Sequence, residues 1–161
     1  MTNDELQFYL NNREVIKNLA LNTGTTTNPE FTAMCTMSEI GLSPDFEQKD
    51  WYVACDAIKR AVLTGVSITL NTTVKLDMNN KAIRSTLKSI HTLISTGEIA
   101  QFNNQLIQFE LLDDLKDGVL TYKKYQVQVV LKFSDLGGNV EDEGDYKLEI
   151  IFIGKGKEIT E

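Results

Sequence analysis

The feature that most narrows what this chain can become is a pair of alternating stretches near its carboxyl end, Tyr122 to Phe133 and Tyr146 to Ile153. Read two residues at a time, the first sets Tyr125, Val127, Val129, Leu131 and Phe133 on one face, with Gln126, Gln128 and Lys132 opposite. A period of two with one apolar face is the pattern of a half-buried strand. The second stretch repeats it, with Tyr146, Leu148, Ile150 and Phe152 inward and Lys147 and Glu149 outward. Ile151 and Ile153 make its end apolar on both faces, which predicts cover on both sides there. The segment between, Ser134 to Asp145, is too long and too acidic for a tight turn, yet it carries glycines that permit sharp reversals. The pair is predicted to be a hairpin with an exposed loop.

Upstream, Val15, Lys17, Leu19 and Leu21 alternate against Ile16, Asn18 and Ala20 in a first strand, and a turn through Asn28 and Pro29 leads to a second, Phe31 to Glu39. Ile68, Leu70, Thr72, Val74 and Leu76 define another strand. Asp77 to Asn80 offers side-chain oxygens for a helix start, and Ile83, Leu87, Ile90 and Ile94 recur at helical spacing before Gly97. The helix is expected over about 79–95, docked on the sheet by that face. A strand at about Leu106 to Leu112 and a turn at Asp117-Gly118 complete the order. This order predicts an α+β fold: a β-sandwich or flattened barrel of two packed sheets with one docked helix and a long inter-strand loop. Residues 1–14 show no period and are either a frayed terminus or an arm that orders on a partner; residues 157–161 read as a tail.

The least legible segment is the loop expected at about 43–65. Gly41, Pro44 and a charged run precede Trp51 and Tyr52, and residues 56–63 fit helix or strand equally by period. A long loop rich in aromatics must pack on something. Trp51 and Tyr52 either fold back on their own core, line the pocket of a monomeric ligand binder, or bury against a neighbouring subunit.

Composition restricts the chemistry. At 161 residues the chain has the length of one domain with a sizeable core, and no apolar run approaches a membrane span. The opening Met-Thr-Asn-Asp-Glu lacks a secretory pattern, which predicts folding in the cytoplasm. A net charge of −7 argues against gripping nucleic acid, and is compatible with letting it pass. Cys35 and Cys55 read as buried thiols, and His91, the only histidine, as a surface residue. Asp135, Glu141, Asp142, Glu143 and Asp145 lack the spacing of a calcium loop, and Asp113 and Asp114 read as a polar turn. Phosphate-loop, paired-histidine and nucleophile-elbow motifs are missing, so the expectation is no enzyme, no cofactor and no metal.

Two stretches resemble a known family. Ile16-Lys17-Asn18-Leu19-Ala20-Leu21-Asn22-Thr23-Gly24, the approach to Phe31-Thr32 and Gly41-Leu42-Ser43-Pro44-Asp45-Phe46-Glu47 look like the opening of the major tail tube proteins of long-tailed bacteriophages. Phe133-Ser134-Asp135-Leu136-Gly137-Gly138, an acidic spacer and Tyr146-Lys147-Leu148-Glu149-Ile150-Ile151-Phe152-Ile153-Gly154 resemble that family's final hairpin. The resemblance, over about residues 15–156, implies a structural virion protein whose hexameric rings stack into the conduit for DNA ejection. It implies partners too: further copies of itself, tape measure, terminator and distal tail proteins, and genomic DNA passing without specific binding. The implied place is the virion tail, assembled in the bacterial host cytoplasm. The loop at 43–65 matches in position the family's reach to neighbouring subunits, which makes Phe46, Trp51, Tyr52 and Ile58 candidate inter-subunit residues. The glycine-rich amino-terminal strand of many contractile tubes is missing, which leans toward a flexible tail. A terminator or connector ring is the alternative within the same machinery.

Overall fold

The computed structural model describes residues 15–25, 27–34, 37–52, 58–137 and 144–160. Eight strands are joined by hydrogen bonds: β1 (Ile16–Asn22), β2 (Phe31–Ala33), β3 (Met37–Tyr52), β4 (Lys59–Lys75), β5 (Gln105–Lys116), β6 (Val119–Gly137), β7 (Asp145–Phe152) and β8 (Lys157–Ile159). One α-helix, α1 (Lys81–Thr96), and a short 3-10 turn at Ala100–Phe102 lie between β4 and β5. The strand order is β2-β1-β5-β6-β7-β4-β3, every pairing is antiparallel, and β8 also pairs with β6.

The two halves are one continuous sheet, with β6 as the shared spine. Its first part pairs with β5, from Lys116↔Val119 to Gln105↔Val129, and its last part pairs with β7, from Val129↔Phe152 onward. The predicted inward residues of the terminal hairpin form the core: Val127, Val129, Tyr146, Leu148 and Ile150 are buried, joined by Leu19, Leu70, Val74, Ile83 and Ile107. Asp117 and Gly118 both have positive φ, at 52° and 78°. That is the turn geometry whose twist matches a two-residue hairpin, so β5 and β6 reverse without splaying.

Tyr146 is fully buried, and its hydroxyl has no well-formed hydrogen bond among the described residues. Burial pushes its phenol up, opposed by the nearby Thr86 hydroxyl. Thr86 itself donates to the Ala82 carbonyl at 3.0 Å. Helix α1 begins at Asn80, whose Oδ1 accepts from Ala82 N at 2.8 Å while Nδ2 donates to Ala33 O at 2.9 Å. One side chain thus caps the helix and ties its start to β2. Gly97 ends the helix in the left-handed region at φ 73°.

Several sequence expectations change. The alternation in β1 breaks at Asn18, which has φ 56° beside a register shift between Lys17 and Ala20. Asparagine tolerates this conformation, and the extra residue brings both Ile16 and Leu19 into the core. The expected second strand is two strands, β2 and β3, and the expected loop at 43–65 is mostly strand, since β3 runs to Tyr52 and β4 begins at Lys59. The tail from residue 157 forms β8 on the edge of β6. Ile83 and Ile90 are buried as expected, but Ile94 in the last turn of α1 is 78% exposed. Ile153 is exposed rather than covered. The amino-terminal segment 1–14, Cys35, Cys55, Glu141, Asp142 and Glu143 lie outside the described residues.

These differences set an expected contrast in stability. Ile83→Ala should cost the unassembled protein about 2–5 kcal/mol, because it leaves a cavity between helix and sheet. Ile94→Ala should cost less than about 0.5 kcal/mol. Urea unfolding of the two variants checks both. Equal losses would mean that the last turn of α1 packs on the core after all.

Candidate assembly surface

β4 pairs with β7 only from Thr69↔Ile151 onward, whereas its pairing with β3 continues to Tyr52↔Lys59. Beyond Pro44↔Ile68 the two strands therefore form a two-stranded ribbon, roughly 25 Å long at the rise of an extended chain. An isolated ribbon of two strands is marginal in water. What stabilises it must come from its faces.

Directly paired residues share a face. One face takes Leu42 with Leu70, Pro44 with Ile68, Phe46 with Val66, Gln48 with Leu63, Asp50 with Ala61 and Tyr52 with Lys59. Leu70 is fully buried and Leu42 packs against the core, so this face is the core face carried outward past the core. The other takes Ser43 with Thr69, Asp45 with Ser67, Glu47 with Gly65, Lys49 with Val62 and Trp51 with Arg60. As far as Phe46 and Val66 the ribbon is amphipathic, and beyond them Gln48, Asp50 and Lys59 share the core-continuing face with Leu63 and Tyr52. A register shift between Glu47 and Gln48 accommodates Thr64 and keeps Leu63 on the apolar side.

All four sequence candidates are exposed: Phe46 at 53%, Trp51 at 43%, Tyr52 at 68% and Ile58 at 64%. The ribbon brings Phe46 and Tyr52 to one face and turns Trp51 to the other, while Ile58 lies just before β4. Among the described residues, Trp51 and Tyr52 are not buried in their own core. Leu63 and Val66 join the apolar face and were not singled out by sequence, because the period around them fits helix as well as strand and Thr64 shifts the alternation. Pairing with the strand that contains Phe46 is the signal that resolves it.

At the foot of the ribbon the apolar strip opens into a groove of about 610 Å³, walled by Leu42, Val66, Ile68, Phe109, Tyr125 and Phe152. Phe109 packs with Tyr125 and Phe152 at ring-centroid distances of 5.9 and 5.8 Å, which gives the groove a rigid aromatic floor. Toward the far end, Asp50 accepts from Gln48 Nε2 at 2.6 Å and meets Lys59 Nζ at 2.9 Å. The Gln48 amide, and then the Lys59 ammonium, hold its carboxyl below the usual range. The described residues contain no cluster of His, Cys, Asp and Glu able to hold a metal ion, and no helix among them is long and apolar enough to cross a membrane.

Because Phe46, Leu63 and Tyr52 are already in solvent, Leu63→Ser should change the unfolding free energy of the unassembled protein by no more than about 0.5 kcal/mol, and Leu70→Ala by about 2–5 kcal/mol. Thermal melts at low concentration check this. A large loss for Leu63→Ser would mean that the ribbon folds onto its own chain.

No protein-family model matches the sequence, and no curated protein matches it. Solved structures do share the fold. One is a chain from the tail of an empty gene transfer agent particle with C6 symmetry, at a TM-score of 0.53 and 12% identity, covering 89% of this chain and 96% of that one. A chain from the virion of a native gene transfer agent particle matches equally, at 0.53 and 12% over 89% and 96%. A chain from the sixfold-symmetrised anti-feeding prophage baseplate matches at 0.52 and 15%, covering 94% of this chain and 95% of that one. The α+β fold expected from the sequence is therefore the fold of chains in phage-like tails and baseplates.

Proposed function

We propose that this protein is a structural subunit of a phage-like tail, forming six-membered rings that stack into a tube. The observation that carries the reading is the β3–β4 ribbon, whose exposed face continues the core pattern through Phe46, Val66, Leu63 and Tyr52. An apolar face of this length is an aggregation liability on a monomer and a joint in an assembly. The ribbon of one subunit would seat on a different surface of the next, and an interface between unlike patches propagates around a ring or along a filament. The shared fold with chains of sixfold assemblies supports closure into rings of six.

In this account Phe46, Tyr52, Leu63 and Val66 are the anchors toward the neighbouring subunit. Trp51, with Val62 on the opposite face, and Ile58 at the ribbon end contact a second neighbour. The tube is then the conduit through which DNA leaves the virion, and the other tail proteins terminate and cap it. Function follows from geometry and needs no catalytic group.

Negative-stain microscopy with light scattering over a concentration series tests the reading. Rings with a central hole, or hollow tubes, are expected. Single rings that never stack would assign the terminator alternative, and a monomer at every concentration, with or without preformed tail tips as seeds, would overturn the proposal. Tyr52→Ala and Phe46→Ala should each reduce assembly at least about tenfold, while leaving monomer stability nearly unchanged. If the groove instead bound a small apolar ligand on a monomer, a ligand screen would give a saturable rise in melting temperature.

A further inference from the structure

Opposite the core face, the β6–β7–β4–β3 part of the sheet presents a broad polar surface. The register sets Gly41, Asn71, Glu149 and Lys132 in one row, Ser43, Thr69, Ile151 and Val130 in a second, and Thr73, Lys147 and Ser134 in a third. Three lysines in the β6–β7–β4 part of this surface each face a carboxylate. Lys132 Nζ lies 3.6 Å from Glu149, Lys147 Nζ 3.5 Å from Asp135, and Lys75 Nζ 3.4 Å from Asp145. The remaining groups are mostly hydroxyls and amides.

We propose that the β6–β7–β4 part of this polar face is the surface presented to DNA, and that DNA passes over it because Lys75, Lys132 and Lys147 are neutralised locally, rather than because the lining is strongly acidic. The inference rests on the tube reading. A water-filled conduit for a polyanion cannot be walled by the apolar ribbon face or by the aromatic groove, and α1 packs on that same side. The polar face is the broad surface left. Ion pairs separated by less than 4 Å are far tighter than the roughly 8–10 Å screening length of physiological salt, so a phosphate passing outside them meets almost no net charge. Unpaired lysines at the same positions, repeated in every subunit, would capture phosphates through counterion release and would act together along the polymer.

Glu149→Gln with Asp135→Asn leaves Lys132 and Lys147 without their carboxylates, and both changes are near-isosteric, at an exposed Asp135 and a half-buried Glu149. Both proteins are assembled with a short labelled DNA duplex at low salt, pelleted, and treated with DNase. Wild-type tubes should leave the duplex in the supernatant. Variant tubes should carry down at least about tenfold more, in a DNase-resistant form that high salt releases. Resistance places the binding surface inside the tube. Duplex that pellets but is digested would put the face outside and overturn the proposal, as would equal amounts in both pellets. Glu149→Gln alone gives the same two readings where the double variant fails to assemble. Absence of rings and tubes from both proteins, seen directly by microscopy, would overturn the tube reading itself.

Discussion

The structure depends on a strand pair that is longer than the core it serves. Where β4 lies between β3 and β7, its inward residues Leu70, Thr72 and Val74 are buried under the rest of the domain. Where it continues alone with β3, the pleat carries Phe46, Val66, Leu63 and Tyr52 on the same side, but none of the described residues covers it. Burial of apolar area is the dominant favourable term in folding and association alike, at about 25 cal/mol per Å². The chain has placed part of that term outside its own fold. It is recovered only when another surface arrives.

The rest of the domain fixes the direction of the ribbon. The long β6 joins both halves of the sheet, and Asn80 ties α1 to β2 while capping it. The aromatic stack of Tyr125, Phe109 and Phe152 closes the base of the groove from which the ribbon departs. A well-packed base matters to the proposed ring, which closes only if each subunit holds its ribbon at a constant angle. The polar side of the sheet follows the opposite logic. Its Lys75, Lys132 and Lys147 are each paired with a carboxylate of the same chain.

Much of this was legible in the sequence where period and burial agree. Tyr125 to Phe133 and Tyr146 to Phe152 alternate without interruption, and their inward faces are the core. The cap at Asn80, the stop at Gly97 and the turn at Asp117-Gly118 were legible because each requires particular side-chain or backbone chemistry. Legibility failed where one extra residue shifts the alternation, as at Asn18 in β1 and Thr64 in β4. It failed also at Ile94, which keeps the helical period of a buried face although it is exposed. The ribbon was misread as a loop because its proline, glycines and charges are turn signals locally. Pairing along an edge tolerates all of them, and pairing is a property of two segments that neither segment displays alone.

The central claim is that the apolar side of the ribbon is covered by another copy of the chain. Amide hydrogen exchange across residues 45–52 and 59–67, compared between unassembled protein and rings or tubes, tests it most directly. In the unassembled protein these amides should exchange far faster than those of the buried β6–β7 pairing, since a two-stranded ribbon is only marginally stable. Assembly should slow them by at least about a hundredfold while leaving the β6–β7 amides nearly unchanged. Assembled particles whose ribbon amides still exchange at the unassembled rate would contradict the account.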